Sequence, residues 1–211
     1  MIKIENFEVS GFEAAIRGLR NPMNSWDKSD SNPIDGIGDR DWELMKKLVK
    51  AGSDHRKFMR FITVTVDVTA PLYWWKEYDT YKVGTVANSC STMHKIHEKE
   101  FTLDDFSHEH LFRYKDNYER QIIADGNDEL LIRIIYTLNL YRGLYIKYKD
   151  KDYWWQMIQL LPTSYNQKRT LLLNYEVLRN IYHARKNHKL YEWHDFCAWI
   201  ESLPYSELIV M

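Results

Sequence analysis

The run MRFITVTVDV at residues 59–68 constrains the fold more than any other stretch of this 211-residue chain. Phe61, Thr63, Thr65 and Asp67 alternate with Ile62, Val64, Val66 and Val68. Branched side chains favour an extended backbone, and a period of two puts one apolar row on a single face. Such a strand is stable only when neighbours pair its edges and apolar side chains cover that row. The sequence continues TAPLYWWKEY. Pro71 suits the first turn of a helix, where its missing N–H is not needed. The chain therefore passes from strand to helix with no linker between them.

The other periodicities are mainly helical. IKIENFEV near the N-terminus reads as a second strand. Phe12, Ala15, Ile16 and Leu19 then recur at helical spacing. Residues 21–39, dense in Asn, Pro, Asp, Ser and Gly, predict a loop. DRDWELMKKLVKAG is an amphipathic helix with Trp42, Met45, Leu48 and Val49 inward and Gly52 as its stop. Leu131, Ile134, Ile135, Leu138 and Tyr141 keep a 3.6-residue phase. DYWWQMIQL forms a shorter helix that Pro162 ends, and the segment from Gln167 predicts one long helix with a second after Asn187. In each of the pairs Trp74-Trp75 and Trp154-Trp155 the rings diverge on a helix, so one ring of each is expected inside. No repeat or linker divides residues 1–211, which predicts a single domain of the α+β class.

Composition excludes several functions. Hydrophobic residues at 45% can build a core. A net charge of −1 gives no bulk attraction to nucleic acid or to an anionic membrane. No run approaches the ~18 apolar residues of a membrane span. MIKIENFEVS lacks a signal core. A cytoplasmic protein is expected, with neither nucleic acid nor membrane as partner. Two cysteines, Cys90 and Cys197, make no disulfide framework. The aromatic share of 15% suits interfaces and stacking pockets as well as a core.

Few residues carry chemistry at a specific spacing. His94 and His97 stand three apart beside Glu98, and His108 and His110 two apart. No third ligand has a recognisable spacing, so surface histidines are expected and no metal site. No Gly-rich phosphate loop or nucleophile elbow occurs, and Cys90 has no evident base. The C-terminal third is more informative. Asn174, Leu178, Ile181, Arg185 and His188 step by four, three, four and three. A stripe that buries Leu178 and Ile181 should not bury Arg185 unmatched, because an uncompensated charge is costly. Arg185 therefore calls for a carboxylate, a bound anion or an opening to solvent.

From about Trp42 to Glu192 the sequence resembles the flavin-dependent thymidylate synthases. In that family a strand leads through an Ala-Pro helix start to a Gln and then an Arg-His-Arg-x-x-Ser signature. Here FITVTVDVTAPLYWWKEYDTYKVGT follows the same layout without a gap, and residues 80–85, TYKVGT, fall on the signature. Downstream, NSCSTMH keeps Asn88 and Ser91 of an Asn-Glu-x-Ser-x-Arg-Tyr segment, with one residue inserted. In the C-terminal part, Leu161-Pro162, Asn174, Asn180 and Arg185 keep the family's order and spacing, and His188 and Glu192 follow one residue early.

The resemblance implies a ThyX-like α+β fold, with a small mixed sheet and long helices, and a homotetramer binding FAD between subunits. It implies reductive methylation of dUMP, or a related pyrimidine nucleotide, with methylenetetrahydrofolate and NADPH. Arg185 would orient the base and favour its ionised form. Asn174, Asn180, His188 and the backbone of Tyr81, Lys82 and Val83 would hold FAD. Glu77, Lys82 and Ser91 would meet the nucleotide. The departures fall on charge. Thr80 and Met93 stand for two arginines, Glu77 for Gln, Asp79 for an apolar residue, Glu176 for a common Arg, and Ile158 where another Arg is expected. Arginine's forked donors suit phosphate, so their loss leaves a second reading: a ThyX-fold nucleotide-binding or interaction protein without catalysis.

Overall fold

The computed structural model describes residues 2–111 and 118–211, with the backbone alone at 118–129. The elements run β1 (Lys3–Ser10), α1 (Phe12–Arg20), α2 (Asp39–Lys50), β2 (Thr63–Pro71), α3 (Leu72–Tyr78), β3 (Val86–Ser89), α4 (Thr92–Lys95), α5 (Tyr118–Tyr148), α6 (Lys151–Leu160), β4 (Asn166–Asn174), α7 (Tyr175–Arg185), α8 (Tyr191–Glu201) and α9 (Glu207–Val210). The antiparallel sheet has the order β1-β2-β4-β3. The chain forms two compact units, one of Thr69–Glu77 and Ser89–Lys168, the other of Ile2–Val68, Tyr78–Asn88 and Arg169–Met211.

The second unit holds most of the sheet. On β2, Val64, Val66 and Val68 are fully buried, as is Ile62 just before it, while Thr63, Thr65 and Asp67 are not. The alternation written in the sequence is thus the alternation of the strand. On β4, Leu171 and Leu173 are buried and Leu172 is 39% exposed. The long helix expected from Gln167 is therefore wrong for residues 166–174, which are a strand. Three consecutive leucines hide a period of two, because Leu172 carries the same apolar label as its buried neighbours. The four residues of β3, Val-Ala-Asn-Ser, show no alternation at all and are exposed.

Gly11 marks the passage from β1 to α1. Its φ of 94° is left-handed, and a Cβ there would stand 2.0 Å from the Phe61 carbonyl oxygen, so only glycine fits. Asp41, in the first turn of α2, is fully buried. It accepts from Arg20 Nε at 2.6 Å and from the Ser29 and Ser31 hydroxyls at 2.6 and 2.7 Å. These bonds tie the 29–31 loop to α2.

The first unit packs α5 and α6 around Ile96, Phe101, Phe106, Leu131, Leu138 and Met157. Asn139 closes a reciprocal pair with the Phe101 backbone, accepting from its N–H and donating to its carbonyl, both at 2.9 Å. Trp74 and Trp75 are both buried, edge to face at 4.8 Å, where one was expected inside. Trp75 is accommodated because its Nε1–H donates to the Gln167 carbonyl at 2.9 Å. Trp155 is 41% exposed, and its neighbour Trp154 donates to the Met93 carbonyl at 3.2 Å.

Candidate functional site

Helix α7 is the frame of the site, and its sequence fixes both ends. At the start, the Asn174 side chain accepts from the Val177 N–H at 3.0 Å, satisfying one of the helix's open donors. Leu178 and Ile181 are fully buried and set the inner face. At the far end, about 16 Å away for 11 residues, Arg185 is the last helical residue and is half-buried.

A turn between α3 and β3 lies along this helix. Tyr81 N–H donates to the Tyr78 carbonyl at 2.9 Å, and Thr85 Oγ1 donates to the Tyr81 carbonyl at 2.7 Å. Asp79 accepts from Arg169 Nη1 at 2.7 Å, anchoring the turn to β4. Gly84 has φ 78°, and a Cβ there would lie 3.1 Å from Val177 Cγ2 and 3.4 Å from Asn174 Nδ2. The bare backbone of Gly84 thus sits against the N-terminal end of α7.

The same turn reaches the C-terminal end through Tyr81. Arg185 Nε donates to the Tyr81 hydroxyl at 2.8 Å. The guanidinium carbon lies 5.5 Å from the Tyr81 ring centre and 4.8 Å from that of Trp193, which is fully buried on α8. The two rings meet edge-on at 6.1 Å. His188, three residues past α7, stands edge-on to Trp193 at 6.3 Å. Its Nδ1 accepts from the Leu190 N–H at 3.2 Å. Arg185 is thus stabilised by two π faces and a phenol oxygen, worth up to about 2 kcal/mol where desolvated.

Of the predicted site residues, Tyr81 and Arg185 are bonded and His188 meets the same Trp193 ring, while Asn174 stands at the other end of α7 against Gly84. Lys82 and Val83 form the exposed apex of the turn, and Asn180 is exposed on α7. Glu77 and Ser91 belong to the first unit. There Ser91 accepts from the His94 N–H at 3.0 Å and borders a cavity of about 400 Å³ with Cys90, Lys95, Tyr165 and Gln167.

The sequence reading missed Trp193, whose helical position marks it only as core. It also missed a charge pair. Glu176 is buried and accepts from Arg56 Nε through both oxygens, at 3.1 and 2.9 Å. The negative charge placed on α7 is thus answered by an arginine 120 residues earlier in the chain. Among the described residues no three His, Cys, Asp or Glu side chains gather as a metal would require. Nor is any helix among them long and apolar enough to cross a membrane.

No protein-family model matches the chain, and no curated protein matches its sequence. Solved structures do. The flavin-dependent thymidylate synthase ThyX of Helicobacter pylori, complexed with FAD and dUMP, superposes with a TM-score of 0.69 at 18% identity, over 99% of this chain and 97% of that one. A second structure of that enzyme with FAD and dUMP gives 0.67 at 15% identity, over 100% and 98%. The UMP/dUMP methylase PolB of Streptomyces cacaoi, bound with 5-Br dUMP, gives 0.65 at 14% identity, over 96% and 88%. The chain has the ThyX fold.

Proposed function

We propose that this protein is a flavin-dependent methylase of a pyrimidine nucleotide, with dUMP as the first candidate substrate. One observation carries the reading: a turn, both ends of α7 and a tryptophan of α8 converge to hold Arg185 beside Tyr81. A fixed guanidinium can stabilise negative charge that develops on a pyrimidine ring.

The residues present fit a flavin. The backbone of 81–84 is exposed at Lys82, Val83 and Gly84, and Gly84 packs next to the Asn174 amide. Tyr81, Lys82, Val83, Asn174, Asn180 and His188 would hold FAD, and amides can serve both donors and acceptors of its ring. FAD, reduced by NADPH, would supply the hydride, and methylenetetrahydrofolate the carbon. Arg185 would orient the base, and Lys82 would meet the nucleotide. Homotetramer assembly and a cytoplasmic setting complete the reading and rest on the resemblance.

The alternative is a ThyX-fold nucleotide-binding or interaction protein that no longer catalyses. The exposed Thr80 and Met93, which stand where the family has arginine, favour it. Flavin uptake separates the two. The enzyme reading predicts protein that is yellow as purified or becomes so with FAD, and it fails if the protein stays colourless with excess FAD.

A further inference from the structure

Helix α7 is gripped at both ends by one short turn, and the two grips differ in kind. At the N-terminal end the contact is packing, with Gly84 against Val177 and Asn174. At the C-terminal end it is a directed bond from Arg185 Nε to the Tyr81 hydroxyl at 2.8 Å. Between them the turn is stiffened by Thr85 Oγ1 on the Tyr81 carbonyl and fixed at its root by Asp79 and Arg169. Arg169 is itself largely buried, 14% exposed at its side chain. The turn is thus tied within itself, at its root and to both ends of α7.

We propose that Tyr81 is a positioning residue that couples flavin binding to nucleotide binding. The proposal rests on the functional reading above, in which the 81–84 backbone and Asn174 meet the flavin and Arg185 meets the base. A ligand that settles the turn against Asn174 also settles Tyr81, and so the direction of the guanidinium. Trp193 forms a buried wall on the other side, with the guanidinium carbon 4.8 Å from its ring centre. Two sites biased by one shared element must show a reciprocal coupling free energy. Removing the phenol oxygen cuts that link while keeping the ring that packs against Arg185 and Trp193.

The test is a binding cycle by calorimetry on the full chain stripped of flavin, with dUMP measured with and without FAD. Wild type is expected to bind dUMP about tenfold more tightly with FAD present, within the usual range for coupled sites. Tyr81→Phe, a change within the proposed flavin site, is expected to reduce that ratio to about twofold whatever its affinity for either ligand alone, and to keep the wild-type melting temperature. Asp79→Asn, which loosens the root of the turn, should reduce the ratio as well. An unchanged ratio in Tyr81→Phe with both ligands bound overturns the coupling alone. Failure of wild type to bind either ligand overturns the functional reading and the coupling with it.

Discussion

Aromatic rings can line a charged side chain. Arg185 is flanked by Trp193 and Tyr81, whose π faces replace part of the hydration that the guanidinium gives up. A buried charge of the other sign stands at Asp41. Burial pushes its carboxyl up, but hydrogen bonds from Ser29, Ser31 and Arg20, with the Arg20 charge, outweigh burial and hold it below 3.8. A depressed folded value stabilises the protein above the unfolded value, and that contribution is lost as pH falls below about 4. Asp41→Ala leaves Arg20 buried and unmatched, so urea unfolding at neutral pH should show a loss of about 3–5 kcal/mol. The difference between wild type and variant should narrow in acid. Cys197 offers a second check. Burial first, then the Glu201 charge, push its thiol up to about 11, whereas Cys90 is exposed. At pH 8 a thiol reagent should therefore modify Cys90 in the native chain, and both cysteines only after denaturation.

The boundary between β4 and α7 sits on Asn174, which ends the strand and caps the helix with its own side chain. Asn174→Ala should cost about 0.5–2 kcal/mol, the usual worth of such a cap, read from a denaturant midpoint. It should also weaken flavin uptake beyond what the stability loss explains. This boundary shows what the sequence could and could not display. Asn174, Leu178, Ile181 and Arg185 were legible because a helix repeats its face every three to four residues. The strand before them was not, since Leu171, Leu172 and Leu173 look alike although only the outer two are buried. The turn at 79–85 was readable as a site only by resemblance. The Tyr81–Arg185 bond joins residues 104 apart, and Trp193 stands on another helix, so no local spacing announces either. The pair Arg56 and Glu176 follows the same rule, because charge matching across 120 residues is a property of the fold.

At the scale of the molecule, β2 and its passage into α3 already named the fold class, and the superposition on ThyX structures at 14–18% identity shows how little else need be kept. An apolar row on a strand and helices to cover it tolerate many substitutions of similar volume. The charged residues of a site do not, since each acts at one place with one geometry. On the proposed reading, Thr80, Met93 and Glu77 therefore bear on function and hardly at all on fold. Expression of the chain in a thymidine-requiring bacterial strain weighs the retained Arg185 clasp directly against those lost arginines. The account predicts growth without thymidine for the wild-type chain and none for Arg185→Ala at equal protein level. No growth with the wild-type chain, or growth that survives Arg185→Ala, would contradict it.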